Sequence, residues 1–443
     1  MKELKGKLVW SVKVLSGKTF SWRIIAIIAV VVVVVAGAAY WFFLPKGVGE
    51  VGEPIKIGIV TNLAGAYSPE GIRARIMCTA LATEINAKGG VYLQKTGKMH
   101  PVELIFYDAQ SVVATYVELA TKMVTEKKVH VMTLQGGPPP YVVPAVINIE
   151  KVGGVPCSGG GPIDTLVRNL RAAFPEGEKA LKWTWDVSFN YTDYATAWPS
   201  FLSKYKALTN GKLGILYTDD VSGRDAKEKI VPALQKAGWT IIDPGLVPPG
   251  TTDFTSVIAK FKEERVDIVI VNVTPIEWIP FRRQCGAMGF KPKMFGVGRC
   301  MKIPEAEALG RELAEGICVE CWWWYTYPYK GNEWFKENWD RIFGDMSMTW
   351  GEGAYYTGFM LCIEAVKIAG SLDRNEINEG FSKIDTEMPV GRVKFAPDKH
   401  LCPTISTIGQ FYWDTSKGKW DVKIVWAPPG FPVPVSEATW PLP

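Results

Sequence analysis

The chain has 443 residues, of which 47% are hydrophobic and 21% are charged, so disordered, collagen-like and disulfide-scaffold classes are excluded. The formal net charge of +5 lies entirely in residues 1–45, which hold six Lys or Arg residues against Glu3. Removing these from the totals of 50 and 45 leaves 44 basic and 44 acidic residues in the remainder, so nothing favours nucleic-acid binding.

An uncharged segment, residues 24–44, lies between Arg23 and Lys46 and would span about 31 Å as a helix, which matches the core of a bilayer. All nearby basic residues precede it, which predicts a cytoplasmic segment over residues 1–23 and an exported remainder. The sequence therefore predicts an N-terminal transmembrane anchor, followed by a linker over residues 45–54.

A cleaved signal peptide is the alternative, because Ala36-Gly37-Ala38 has the small-x-small pattern that precedes a cleavage site. Cleavage after Ala38 would release a secreted protein. We favour the uncleaved anchor, since the basic region is long and Tyr40 to Phe43 continue the apolar run. Both interpretations place the rest of the chain outside the cytoplasm.

Beyond Lys56, short β-rich apolar runs alternate with longer amphipathic stretches, which is typical of parallel sheets covered by helices. The predicted strands of a first series are 56–61, 102–108, 129–135 and 155–159, separated by helices over 69–87, 112–127 and 141–152. A second series contains 183–187, 212–220, 239–244, 266–273 and 293–298. After 316–328 come helices near 332–343, 352–369 and 374–384 and then a strand-rich tail.

Two series of strands predict an α/β chain with two Rossmann-like lobes. The pieces after residue 324 lack a core of their own, so we expect the chain to return to the first lobe near 322–330 and to cross again near its end. The approximate boundaries are 55–186 with 325–395 for lobe 1, and 187–324 with 396–443 for lobe 2.

Several strings, EPIKIGIVTNLAGAYSPEG (53–71), PPGTTDFTSVIAKFK (248–262) and GRVKFAPDKH (391–400), resemble the type I periplasmic solute-binding proteins of ABC transporters, in particular the leucine/isoleucine/valine-binding branch. The resemblance implies two lobes joined by a three-strand hinge that closes on a small-molecule ligand without chemistry. It also implies ABC permease and ATPase subunits as partners. We expect the exported part to be a monomer.

Ligands of open α/β sheets bind beyond the carboxyl ends of the strands, which selects residues of the first lobe. The resemblance places Tyr67 where the family has a ligand-touching aromatic residue. Gly136 and Gly137 follow the third strand and offer backbone N–H groups, although the prolines after them remove donors. Ser158 and Gly159 follow the fourth strand, where a permissive backbone suits close approach of a ligand.

In the second lobe, Ser222 and Thr274 stand where the family's amino-acid binders often have aromatic residues. Those binders hold the ligand's ammonium group with an acidic residue close to the position of Gly298, and FGVGR (295–299) has none. Arg299 could instead bind a carboxylate. We therefore expect a small apolar or aromatic acid or amide rather than a branched-chain amino acid. Acids near other strand ends could substitute, although each is also explained as a helix cap or a solvated charge: Asp164, Asp186, Asp219 and Glu277.

Trp322-Trp323-Trp324 lies where the chain is expected to cross between lobes, and strand alternation would send Trp322 and Trp324 to one face. Core packing explains at least two of these rings, and an aromatic floor for a ligand is the alternative.

No sequence motif indicates an enzyme, a metal site or a cofactor. Gly47 to Gly52 match a dinucleotide-binding pattern but follow the apolar segment rather than a strand, and Cys318 and Cys321 have no second pair to complete a zinc site. Eight cysteines permit disulfides in an exported chain. A solute-binding receptor is therefore the preferred hypothesis, with a ligand-sensing ectodomain of a signalling system or an exported α/β enzyme as alternatives.

Overall fold

The computed structural model describes residues 51–126, 128–396 and 399–442. The predicted cytoplasmic segment and anchor, residues 1–44, lie outside these ranges. Within them, no helix combines the length and the apolar character that crossing a bilayer requires.

The first lobe is built on a six-stranded sheet in which all neighbouring strands are parallel. Its central strands are almost fully buried and apolar, as expected for a parallel sheet covered by helices, and its two edge strands are partly exposed. The strands, in sheet order, are Leu401–Pro403, Thr184–Ser188, Cys157–Ser158, Val131–Leu134, Ile55–Thr61 and Val102–Asp108. The helices of this lobe are Ser68–Ala87, Val113–Glu126, Pro139–Val152, Ile163–Ala173, Asn332–Phe343, Gly351–Ala369 and Arg374–Ser382.

The second lobe is built on an eight-stranded sheet that is parallel until its last two strands, which are antiparallel. In order these are Leu246–Val247, Lys212–Thr218, Ile268–Asn272, Met294–Val297, Cys318–Cys321, Thr407–Asp414 and Lys419–Trp426, and Thr240–Ile242 also pairs with Lys212–Thr218. Its helices are Tyr191–Ser203, Val221–Lys236, Thr255–Glu263, Pro275–Ala287, Ile303–Leu309 and Arg311–Ala314. Two hairpins, Val91–Leu93 with Lys98–His100 and Asp385–Met388 with Gly391–Lys394, complete the strands, and 3-10 turns lie at Gly177–Ala180 and Lys206–Leu208.

The predicted alternation of strands and helices is confirmed, but two strands are grouped wrongly. Thr184–Ser188, predicted to open the second series although the lobe 1 boundary at 186 includes most of it, pairs with Cys157–Ser158 in the first sheet. Leu401–Pro403, predicted in lobe 2, pairs with Thr184–Ser188 and covers an edge that would otherwise be open. Hydrophobic periodicity identifies a strand but does not say which sheet it joins.

The chain crosses between the lobes three times, after Ser188, after Cys321 and after Pro403. The first crossing leads to a helix of the second lobe, the second returns to the helices of the first, and the third enters the last antiparallel strands. The predicted return near 322–330 is therefore confirmed. All eight cysteines are free and buried.

Candidate functional site

A cavity of about 470 Å³ opens between the two lobes, a volume suited to a small solute. It lies at the carboxyl ends of strands from both sheets, as the strand-end argument predicts. The helix Gly351–Ala369, which the chain forms after its second crossing, closes one side.

Two glycines bring helices close to these strand ends. An added Cβ at Gly71 would lie 1.7 Å from the carbonyl oxygen of Asn62, and one at Gly223 would lie 2.1 Å from that of Thr218. Only glycine permits such an approach of helix to strand end. The first turns of these two helices therefore present Glu70 and Ser222 to the cavity.

Of the residues predicted in the first lobe, Tyr67, Gly136, Gly137 and Gly159 line the cavity. The ring of Tyr67 packs edge-on against Tyr141, with centroids 5.3 Å apart. Gly136 has a φ of +58°, and a Cβ there would lie 2.6 Å from Thr61 Oγ1. Glycine is thus required at this position by the packing of the first strand.

Ser158 is the exception, because it is buried but is not among the residues that line the cavity. Its hydroxyl donates a hydrogen bond to the carbonyl oxygen of Gly358 at 2.7 Å. Ser158 therefore ties its strand to the helix Gly351–Ala369, and Gly159 and Gly160 after it reach the cavity.

In the second lobe, Ser222, Thr274 and Arg299 all line the cavity. Thr274 also forms the N-cap of the helix Pro275–Ala287, where its backbone N–H donates to Glu277 Oε2 at 2.8 Å. The other carboxylate oxygen of Glu277 accepts from the backbone N–H of Gly250. Glu277 is therefore a helix cap, which is one of the two roles that explain this residue without a ligand.

Arg299 has its charge paired within the protein. Its Nη2 donates to both carboxylate oxygens of Asp220, at 2.8 and 2.7 Å, and its Nε donates to Asn272 Oδ1 at 3.1 Å. Asp220 lies 79 positions earlier in the chain, so no local sequence pattern indicates this pair. A ligand carboxylate at Arg299 would therefore have to compete with Asp220 for the guanidinium.

An acidic residue does occupy the space near Gly298, but it comes from the neighbouring strand. Gly296 pairs with Cys318 in the parallel register, which brings Glu320 alongside Gly298 two residues later. A Cβ at Gly298 would lie 2.8 Å from Glu320 Oε2. The expectation that this position lacks a carboxyl group is therefore wrong. A charged residue inside the buried run CVEC was the available signal.

Glu320 and Asp186 are the two deeply buried carboxyl groups of the cavity, one from each sheet. Burial raises the pKa of Asp186 to about 8, against hydrogen bonds from the backbone N–H groups of Gly161 and Gly160. Burial likewise raises the pKa of Glu320 to about 8, although Trp198 Nε1 donates to it at 2.9 Å and Arg299 also favours its charged form.

These raised pKa values predict that the protein loses stability as the pH rises from 6.5 to 8. In this window the folded chain retains protons on Asp186 and Glu320, whose ordinary values of 3.8 and 4.5 mean that the unfolded chain has released them. Burial lowers the pKa of His400 to about 4, so its titration changes the stability only below pH 6.5. Urea unfolding of the wild type and of a D186N/E320Q double variant checks this. An equally steep loss in both proteins would contradict it.

An ion pair joins the two lobes beside the cavity. Lys302, at the start of a second-lobe helix, contacts Glu70 on the first-lobe helix Ser68–Ala87. Glu70 also accepts a hydrogen bond from Tyr355 Oη at 2.7 Å. The ion pair thus holds the lobes together across the cleft in this structure.

The Trp322 to Trp324 segment divides between cavity and core. Trp322 lines the cavity and stacks with Phe189, with centroids 5.9 Å apart. Trp323 and Trp324 are both fully buried, which confirms core packing for two of the three rings. The prediction that Trp322 and Trp324 lie on one face of a strand is wrong, because the strand ends at Cys321 and the following residues are irregular.

A family model described as "Periplasmic binding protein" matches residues 54–415. The Leu/Ile/Val-binding protein homolog 8 of Brucella abortus is 22% identical over 179 residues, which span 39% of this chain and 44% of that relative. The match thus covers less than half of the relative's length.

Two solved structures share the fold. The branched-chain amino acid transporter substrate binding protein LivJ from Streptococcus pneumoniae, in complex with isoleucine, aligns with a TM-score of 0.67 and 21% identity over 84% of this chain and 99% of its own. A solute binding protein of an ABC transporter from R. palustris, in complex with 4-hydroxybenzoate, aligns with a TM-score of 0.68 and 17% identity over 88% and 98%.

Proposed function

The chain belongs to the periplasmic binding protein family, and from this premise we propose that it is the solute-binding receptor of an ABC importer. It captures a small organic solute, such as an amino-acid-like compound, in the cleft and delivers it to the permease and ATPase subunits. The observation that carries the proposal is the cavity of about 470 Å³ between two lobes that the chain crosses three times.

Capture by hinge closure is supported by where the cavity residues come from. Tyr67 and Asp186 belong to the first lobe, and Arg299 and Glu320 to the second, so both lobes must approach before a solute is surrounded. The ion pair of Lys302 with Glu70 crosses the same opening and would favour the closed arrangement.

Binding without chemistry is part of the proposal. The family binds solutes, and both basic side chains that line the described cleft, Arg299 and Lys302, are held in ion pairs. The receptor therefore needs affinity and closure rather than a reacting group.

The family acts outside the cytoplasm, and we propose that residues 24–44 keep this receptor at the membrane as a monomer with residues 1–23 inside. A tethered receptor stays near its permease, which raises their effective concentration. N-terminal sequencing of native protein distinguishes an intact chain from one that begins at Ala39.

A thermal-shift screen of the purified full chain tests the receptor function. A bound solute should stabilise the folded protein by RT ln(1 + [L]/Kd), which is about 2.7 kcal/mol at a hundred times Kd. We expect a hit among amino acids, amides, amines and small carboxylic acids. The absence of any shift across that panel would contradict the proposal.

A further inference from the structure

The basic side chains that line the cavity are paired within the protein, whereas two of its acidic side chains form no ion pair with any residue that the structure describes. Among the described residues that line it, the basic side chains are Arg299 and Lys302, and each is paired, with Asp220 and with Glu70 respectively. A solute that carries only a carboxylate would therefore meet no free counter-charge there.

The acidic side chains leave two groups available. Glu70 is paired with Lys302, and Glu305 accepts the backbone N–H of Lys302 at 2.8 Å. Asp186 and Glu320 take part in no ion pair among the described residues, and Oδ2 of Asp186 has no hydrogen-bond partner there although the residue is only 1% exposed. A buried carboxyl oxygen without a partner is costly unless a ligand supplies one.

Four aromatic rings line the same cavity as these two acids. Phe189 stacks on Trp322 and also packs edge-on against Tyr191 and Tyr194, and all four rings line the cavity. The faces of aromatic rings attract cations, and more strongly where water is excluded. The same walls accept an apolar or aromatic body.

On the basis of the proposed receptor function, we propose that the solute presents a positively charged amine to Asp186 and Glu320 and has an apolar or aromatic body against these rings. An ammonium group supplies the donor that Oδ2 of Asp186 lacks and favours the charged forms of both acids. A carboxylate in the same place would face two acids and no free cation. The cleft therefore selects amines over the corresponding carboxylic acids.

Calorimetric titration of the wild-type full chain with compounds that share a body but differ in head group tests this selectivity. The first set is 4-hydroxybenzylamine, 4-hydroxybenzamide and 4-hydroxybenzoate, which share a ring, and the second is isoamylamine, isovaleramide and isovalerate. We expect at least one amine to bind, about 30-fold or more tightly than the carboxylate with the same body. A carboxylate that binds as tightly as its amine would overturn the proposal.

Variants then locate the contact. Asp186→Asn and Glu320→Gln should each weaken amine binding about 30-fold or more, because each removes one partner of a buried charge pair. Glu264→Gln is the control, since Glu264 does not line the cavity and is paired with Lys212, and it should leave amine affinity unchanged. Unchanged affinity in both D186N and E320Q, with folding verified by circular dichroism, would overturn the assignment.

The outcomes separate this inference from the proposed function. If neither amine binds while other compounds in the thermal-shift panel do, the amine specificity is wrong and the receptor function stands. If nothing in the panel binds, both fail.

Discussion

Replacing Arg73 by alanine is expected to lower the free energy of unfolding by about 3–5 kcal/mol, because it leaves Glu352 buried without its charge partner. Arg73 Nη1 lies 2.6 Å from Glu352 Oε1 and 2.6 Å from the carbonyl oxygen of Ser347. The two side chains are 7% and 0% exposed. Urea unfolding monitored by circular dichroism measures the loss.

Arg171→Ala is the control for this prediction. Arg171 also pairs with a carboxylate, Glu178, but the side chains are 64% and 39% exposed, so the expected loss is at most about 1 kcal/mol. Equal losses in the two variants would show that burial of the Arg73 pair does not matter to stability. The buried pair also fixes the start of the helix Gly351–Ala369 against Ser68–Ala87, which together border the cavity.

Trp323→Ala is expected to cost about 3–5 kcal/mol, through lost burial and the cavity left behind. Trp323 is fully buried, and its ring packs on Phe335 with centroids 4.7 Å apart. Its Nε1 donates to Asn332 Oδ1 at 2.9 Å, and a Cβ at Gly353 would touch the indole at 2.3 Å. Removing the indole therefore leaves a cavity in the core and removes its contacts with Phe335, Asn332 and the helix at Gly353.

Trp322→Ala provides the comparison within the same run of residues. Trp322 is half-buried and lines the open cavity, so its loss should reduce the free energy of unfolding much less. Denaturant midpoints of the two variants measure the difference. A larger loss at Trp322 than at Trp323 would contradict the assignment of Trp323 to the core and Trp322 to the cleft.

The sequence predicted the elements well because their signals are local. The first strand, Ile55–Thr61, and the helix that follows it are marked by a buried apolar run and by helical spacing within a few residues. Sheet membership is not local. Thr184–Ser188 belongs to the first sheet because it pairs with Cys157–Ser158, and its other edge is covered by Leu401–Pro403 from more than two hundred residues later.

The residues of the candidate site also fall into those that the sequence predicts and those that it does not. Tyr67 and Gly136 reach the cavity because they follow strands whose carboxyl ends meet there, which topology alone implies. The pairing of Arg299 with Asp220 and the position of Glu320 beside Gly298 depend on strand register and on side chains from distant segments. These contacts decide the chemistry of the cleft, and no local pattern contains them.

Calorimetric titration of a screened solute into the wild type and Ala354→Trp tests the central claim, that the solute binds between the lobes. Ala354 lines the cavity from the helix Gly351–Ala369, so an indole there would fill the space a solute needs. Ile368→Trp, at an exposed site of the same helix, is the matched control. We predict one solute per chain in the wild type and I368W, and no measurable binding in a folded A354W. Wild-type affinity in A354W would contradict a binding site in the cleft.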